Sequence, residues 1–175
     1  QPNELVMSAT PIPRTLALVL YGDLDVSIVD ELPPGRTPVK TRIVPEEKRA
    51  GLYTFIKSEA AQGRQAYIVC PLVEENEQID AVSAQDMYAE LCTGPLKNLR
   101  LGLTYGNQPA EEKAETLQKF AAGAIDVLVA TTVIEVGVNV PSATVMVIEN
   151  ADRFGLSQLH QLRGRVGRGK AKSYC

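Results

Sequence analysis

From residue 39 onward, strand-like apolar runs alternate with helical patterns, and this alternation restricts the possible folds more than any other feature of the chain. Residues 39–44, 66–70, 99–104, 126–130 and 143–148 read as strands, the last two as continuous apolar runs suited to burial on both faces. Between them, Pro45, Glu46 and Glu47 open a helix that places Leu52, Phe55, Ile56 and Ala60 on one face and ends at Gly63. A weaker helical pattern carries Met87, Tyr88 and Leu91 and stops at Gly94 and Pro95. A clearer one spans residues 109–123. It begins at Pro109 with Glu111 and Glu112 in the first turn, is expected to turn Ala110, Ala114, Leu117 and Ala121 inward, and closes on Gly123. This order predicts an α/β fold, a mostly parallel sheet with helices on both faces. In open sheets of that kind ligands gather at the carboxyl ends of the strands. The loops there are Thr131-Thr132 and Tyr105-Gly106-Asn107, whose hydroxyls and N–H groups suit phosphodiester oxygens, or else merely turn the chain.

The first residues read differently. A strand-like run at 5–9 is followed by Thr10, Pro11, Ile12 and Pro13, then by a short apolar helix at 16–20 and a strand at 26–29. Asp30 and Glu31 imitate a magnesium-binding carboxylate pair, but Pro33, Pro34 and Gly35 follow at once. The extended, proline-rich stretch 32–38 reads better as a linker between two domains.

The chemistry concentrates near the other end. Leu156, Leu159 and Leu162 recur at helical spacing and carry Gln161 and Arg163 into a turn broken by Gly164 and Gly167, which holds Arg165 and Arg168. Arginine is always charged and grips phosphate oxygens in a planar, bidentate way, while glycine lets backbone approach closely. A phosphate clamp is the natural reading, with a solvated basic face as the bland one. Gly164, Gly169 and Lys170 also fit the spacing of a P-loop. Ala171, however, stands where Ser or Thr should supply the magnesium-binding hydroxyl, and the run follows a helix instead of a strand.

Composition excludes several classes. With 175 residues and 45% apolar content the chain can bury a sizeable core. Nothing approaches the roughly 18 consecutive apolar residues of a membrane span, and no secretory signal pattern opens the chain, so a cytoplasmic protein is expected. Cys70, Cys92 and Cys175 are odd in number and far apart, which fits neither a disulfide framework nor a zinc site. The single histidine, His160, argues against a multi-histidine metal centre or a Ser-His-Asp hydrolase. The net charge of −3 hides an uneven distribution. Glu74, Glu75, Glu77 and Asp80 form an acidic patch, whereas Arg153, Arg163, Arg165, Arg168, Lys170 and Lys172 make the last stretch basic.

Gln161, Gly164, Arg165, Gly167 and Arg168 together resemble motif VI of superfamily 2 helicases. With residues 7–15, residues 130–141 and the stretch 149–169 added, the chain closely resembles the RecG family of ATP-dependent DNA helicases, which remodel stalled forks and migrate branched junctions. The resemblance implies a RecA-like fold. It makes residues 1–32 the end of a first RecA-like domain, 33–38 a linker and 39–175 a second RecA-like domain. It further implies that the chain is a fragment whose P-loop and magnesium motif lie upstream. Under it Arg165 and Arg168 contact the phosphates of ATP, with Gln161 beside them and Asn139 near the ribose, where relatives often carry aspartate. Ser8, Ala9 and Thr10 couple hydrolysis to DNA, and Thr131, Thr132 and Gly137 face the DNA backbone. Implied partners are ATP with Mg2+, branched or duplex DNA such as forks and Holliday junctions, the first RecA-like domain of the same protein, and single-stranded-DNA-binding protein. Tyr105, Gly106 and Asn107 depart from the family's usual His-Gly-Arg. The transcription-repair coupling factor, a duplex translocase, shares several of these runs. Tyr21 to Asp25 and His160, however, look like RecG. A non-catalytic docking module using the acidic patch around Glu74 is the remaining alternative.

Overall fold

Strand β2 (Gln65–Val69) is buried at every position because a strand lies on each side of it and helices cover both its faces. The computed structural model describes residues 34, 36–72, 76–131 and 139–175. The chain divides into the units Gln1–Pro34 and Gly35–Cys175, and nearly all the described residues belong to the second. They form a six-stranded sheet in the order β1-β6-β5-β2-β4-β3, parallel throughout. The remaining strands are β1 (Val39–Lys40), β3 (Leu101–Thr104), β4 (Val127–Ala130), β5 (Ala143–Ile148) and β6 (Ser173–Tyr174). The helices are α1 (Arg49–Ala61), α2 (Glu77–Thr93), α3 (Ala110–Ala121) and α4 (Leu156–Arg163).

The period-two geometry of the strands sorts the core into two layers. On one face Tyr67, Val69, Leu128 and Ala130 meet Phe120 of α3 and Leu162 of α4. On the other, Ala66, Ile68, Val127 and Val129 meet Ile56 of α1 and Leu91 of α2. The predicted α/β architecture with helices on both faces is therefore observed. Gln65 and Glu59 are drawn into this core and paired: Gln65 donates to the carbonyls of Phe120 and Ile125 at 2.6 and 2.8 Å. Glu59, on the buried face of α1, accepts from Arg64 at 3.1 Å and from Thr144 at 2.9 Å.

Four expectations change. The strand at 39–44 shortens to two residues, because β6, its one neighbour among the described residues, offers a ladder only over Ser173–Tyr174, and Ile43 stands 98% exposed. The strand expected from residue 99 begins at Leu101, since Leu99 closes a turn onto Leu96 and Arg100 is drawn to the side chain of Asp126. In α3 the inward face runs through Thr116, Leu117 and Phe120, leaving Ala110, Ala114 and Ala121 exposed. Burying one phenyl ring gains far more than burying alanine methyls, so Phe120 sets the rotation of the helix. Asp80, read as part of an acidic patch, is only 4% exposed. Glu74 and Glu75 lie outside the described residues, as do the segments expected at 5–9, 16–20 and 26–29 and the pair Asp30-Glu31.

Phe120 packs edge-on against Tyr67, with ring centroids 4.9 Å apart. Phe120→Ala is expected to cost about 3–4 kcal/mol in urea denaturation of the 175-residue chain, whereas Ala114→Gln changes stability by less than about 0.5 kcal/mol. Equal effects of the two would contradict the assigned face.

Candidate functional site

Helix α4 is seated by Leu162, which is 1% exposed, while Leu159 is half-buried and Leu156, the third leucine of the expected stripe, is exposed. Its carboxyl end does not fray. Gly164 caps the helix through N–H bonds to the carbonyls of His160 and Leu162, and the Arg165 N–H returns to Leu162 at 3.0 Å. Val166 then drops into the core with no exposed surface, leaving Arg165 and Arg168 half-buried on either side of it in the chain.

Gly167 takes φ of +77°, a left-handed conformation that favours glycine. A Cβ there would stand 2.8 Å from the Thr37 carbonyl oxygen, and one at Gly169 would stand 2.5 Å from that of Pro141. The close neighbours that demand glycine are thus other segments of this chain. Both neighbours matter to the site. Thr37 takes its N–H to the Gly167 carbonyl at 3.2 Å and shares its hydroxyl between the carbonyls of Gly169 and Ala171, at 3.4 and 3.2 Å. Pro141, two residues after exposed Asn139, brings its carbonyl against Gly169 of the turn.

The Gly164 carbonyl, at the negative end of the α4 dipole, accepts from Arg168 Nε at 3.3 Å and from Arg36 at 3.0 Å. Arg36 has its pKa lowered, first by burial and then by the like charge of Arg168. Among the described residues no carboxylate lies within ion-pair distance of Arg36 or Arg168. Arg165 and Arg168 both act on the Tyr67 phenol, lowering its pKa, although burial is the larger influence and leaves it raised. The turn therefore concentrates positive charge against the sheet. Gln161, half-buried, lies on the last turn of the same helix, and His160 faces Arg163 at 3.2 Å. The run 164–171 follows a helix and leads into β6, the reverse of the strand-to-helix order that a P-loop requires.

Thr131 sits apart from this cluster, at the carboxyl end of β4, 3% exposed and with its N–H on the Thr104 carbonyl at 3.2 Å. The hydroxyls of Thr104 and Thr131 and the Oε1 of Gln108 are buried and without a hydrogen-bond partner among the described residues. Ser8, Ala9, Thr10, Thr132 and Gly137 lie outside the described residues.

The sequence reading missed a second charged element, which lies on the carboxyl edge of the sheet, whereas the arginine turn leads into β6 from the amino edge. Glu149, following β5 directly and 8% exposed, accepts a bidentate grip from Arg49 at 2.6 and 3.0 Å. Arg49 also holds Glu46 and the Tyr53 hydroxyl, and its pKa is raised, most by Glu149. The available signal was a carboxylate placed directly after an apolar strand. Burial, with Glu149 nearby, pushes the Cys70 thiol up to about 12.

Arg49→Ala is expected to destabilise the chain by roughly 2–3 kcal/mol, because it strands a buried carboxylate, and adding Glu149→Gln should recover part of that loss. Additive losses in thermal or urea unfolding would contradict the pairing. At pH 8 a thiol reagent should label Cys92 first, Cys175 more slowly because burial raises its thiol pKa, and spare Cys70, read by mass spectrometry of the folded chain. Labelling of Cys70 at the rate of either would contradict the burial.

A sequence profile of the helicase conserved C-terminal domain matches residues 47–170. The chain is 54% identical over 173 residues to the ATP-dependent DNA helicase RecG of Thermotoga maritima, covering 99% of this chain and 22% of that protein. It is 53% identical over 175 residues to RecG of Haemophilus influenzae, covering 99% of this chain and 25% of that one. The solved structure of RecG bound to a three-way DNA junction superimposes with a TM-score of 0.78 at 52% identity, over 97% of this chain and 22% of that one. The chain thus spans about a quarter or less of the length of these relatives, and its fold is the RecA-like one of helicase carboxyl-terminal domains.

Proposed function

The chain belongs to the family of helicase conserved C-terminal domains, and from that we propose that residues 39–175 are the second RecA-like motor domain of an ATP-dependent DNA helicase that remodels forks and branch-migrates junctions. In this reading residues 1–32 close the first RecA-like domain, 33–38 connect the two, and the P-loop and magnesium ligands lie outside these 175 residues. The observation that carries the reading is the arginine turn, where half-buried guanidinium groups crowd one helix end and Arg168 meets no carboxylate among the described residues. Crowded like charges are costly alone and favourable once a polyanion lies between them, which is the electrostatic form of a phosphate site.

ATP, when bound, supplies the phosphoryl group whose transfer to water releases energy. Arg168 presents its two Nη groups for bidentate contact with phosphate oxygens, and Arg165 adds a second cation on the other side of Val166 in the chain. Gln161 positions these groups from the preceding helical turn, and Asn139 offers a side-chain amide to the ribose. Because the guanidinium groups are held in place before charge develops, little reorganisation accompanies the chemical step. Closing the cleft around nucleotide and reopening it after hydrolysis would advance the motor along DNA.

The similarity to a RecG structure determined with a three-way DNA junction supports DNA as the partner. Thr131, Thr132 and Gly137 would face its backbone, and the buried Thr131 hydroxyl has no hydrogen-bond partner among the described residues. Ser8, Ala9 and Thr10 would couple this contact to hydrolysis. A cytoplasmic setting and single-stranded-DNA-binding protein as a further partner belong to the same reading, and no described helix is long and apolar enough to cross a membrane.

In the full-length protein, Arg168→Ala should lower DNA-stimulated ATPase by at least about 10³-fold while leaving the Kd for duplex DNA within about threefold. The isolated 175-residue chain should hydrolyse no ATP. Near-normal turnover by the Arg168 variant would refute the phosphate role.

A further inference from the structure

Four backbone carbonyls of the turn after α4 are occupied by two consecutive residues from far earlier in the chain. Arg36 takes that of Gly164, and Thr37 takes those of Gly167, Gly169 and Ala171. Thr37 therefore fastens the glycine-rich part of the turn without help from Arg36, and the steric fit at Gly167 depends on its backbone as well. Arg36 adds something different. Its target is the single carbonyl that Arg168 also uses.

Nothing in the functional reading above requires this shared acceptor. At 3.0 Å the Arg36 bond is close to ideal, whereas the Arg168 Nε bond at 3.3 Å is long. Arg168 thus touches the helix end weakly and only through Nε, and its two Nη groups have no partner among the described residues. Those Nη groups form the fork that binds phosphate bidentately. The negative end of a helix is the natural resting place for such a fork, and a cation already seated there opposes it.

We infer that Arg36 is a positioning residue for Arg168: by occupying the Gly164 carbonyl and repelling its neighbour, it keeps the Arg168 fork off the end of α4 and available to phosphate. The mutual influence of the two cations is visible in the lowered pKa of Arg36, to which the charge of Arg168 contributes after burial. Removing Arg36 would let the Arg168 fork, which now reaches the Gly164 carbonyl only through Nε, fold onto that carbonyl, and each turnover would begin by breaking that contact. The loss would fall on the transition state, where a finger arginine acts most, more than on ground-state nucleotide binding. This inference rests on the phosphate role of Arg168.

The test uses the full-length protein with ATP and duplex DNA. Arg36→Ala should lower kcat by about ten- to a hundredfold with KM for ATP within about twofold. Its Tm and DNA affinity should match the parent, because Thr37 still holds the turn. Arg36→Lys, which keeps a charge and a donor, should recover most of the turnover, and Arg36→Gln, which keeps only a donor, distinctly less. Unchanged kcat in Arg36→Ala beside a dead Arg168→Ala would overturn this inference alone, as would a loss matched by a fall in Tm, or a rise in KM at constant kcat. Near-normal turnover by Arg168→Ala would remove the phosphate role and this inference with it.

Discussion

The carbonyls left open where α4 ends are the point on which the site depends. A helix terminus leaves its last carbonyls without intrahelical partners, and buried carbonyls must find donors elsewhere. Here the donors are Arg36, Thr37 and Arg168, so the turn that carries the arginines is closed by a segment more than 120 positions earlier in the sequence. Gly167 and Gly169 are needed because that closure, and the approach of Pro141, leave no room for a Cβ. Val166 completes the arrangement by anchoring the turn in the core layer that also contains Leu162 and Tyr67.

Two electrostatic regimes coexist at opposite edges of the sheet. Arg49 is saturated by Glu149, Glu46 and Tyr53, and its charge is spent within the fold. Arg36 and Arg168 face each other over one carbonyl and meet no carboxylate among the described residues. The first arrangement stabilises the fold, and the second holds positive charge ready for a ligand. A net charge of −3 conceals both, because neither is a property of the sum.

Much of this was legible in the sequence. Continuous apolar runs marked β4 and β5, and helical spacing marked the buried face of α1 through Ile56. Periodicity misjudged α3, because alanines satisfy a helical pattern without burying much surface, and Phe120 outweighed them. It also overextended β1, whose length is set by its partner β6 and not by its own composition. The arginine turn could be read from glycine and arginine spacing, but its fastening could not. Arg36 and Thr37 look like ordinary residues of a proline-rich connection, and contacts across more than 120 positions leave no local signature. Arg49 and Glu149 escaped for the same reason, being 100 positions apart.

The most direct measurement is a structure of the full-length protein with a non-hydrolysable ATP analogue on duplex DNA. The expected result places the guanidinium groups of Arg165 and Arg168 within hydrogen-bond distance, about 3 Å, of phosphate oxygens, with Arg36 still on the Gly164 carbonyl. A bound analogue whose phosphates are met by other residues, with Arg165 and Arg168 turned to solvent, would contradict the account.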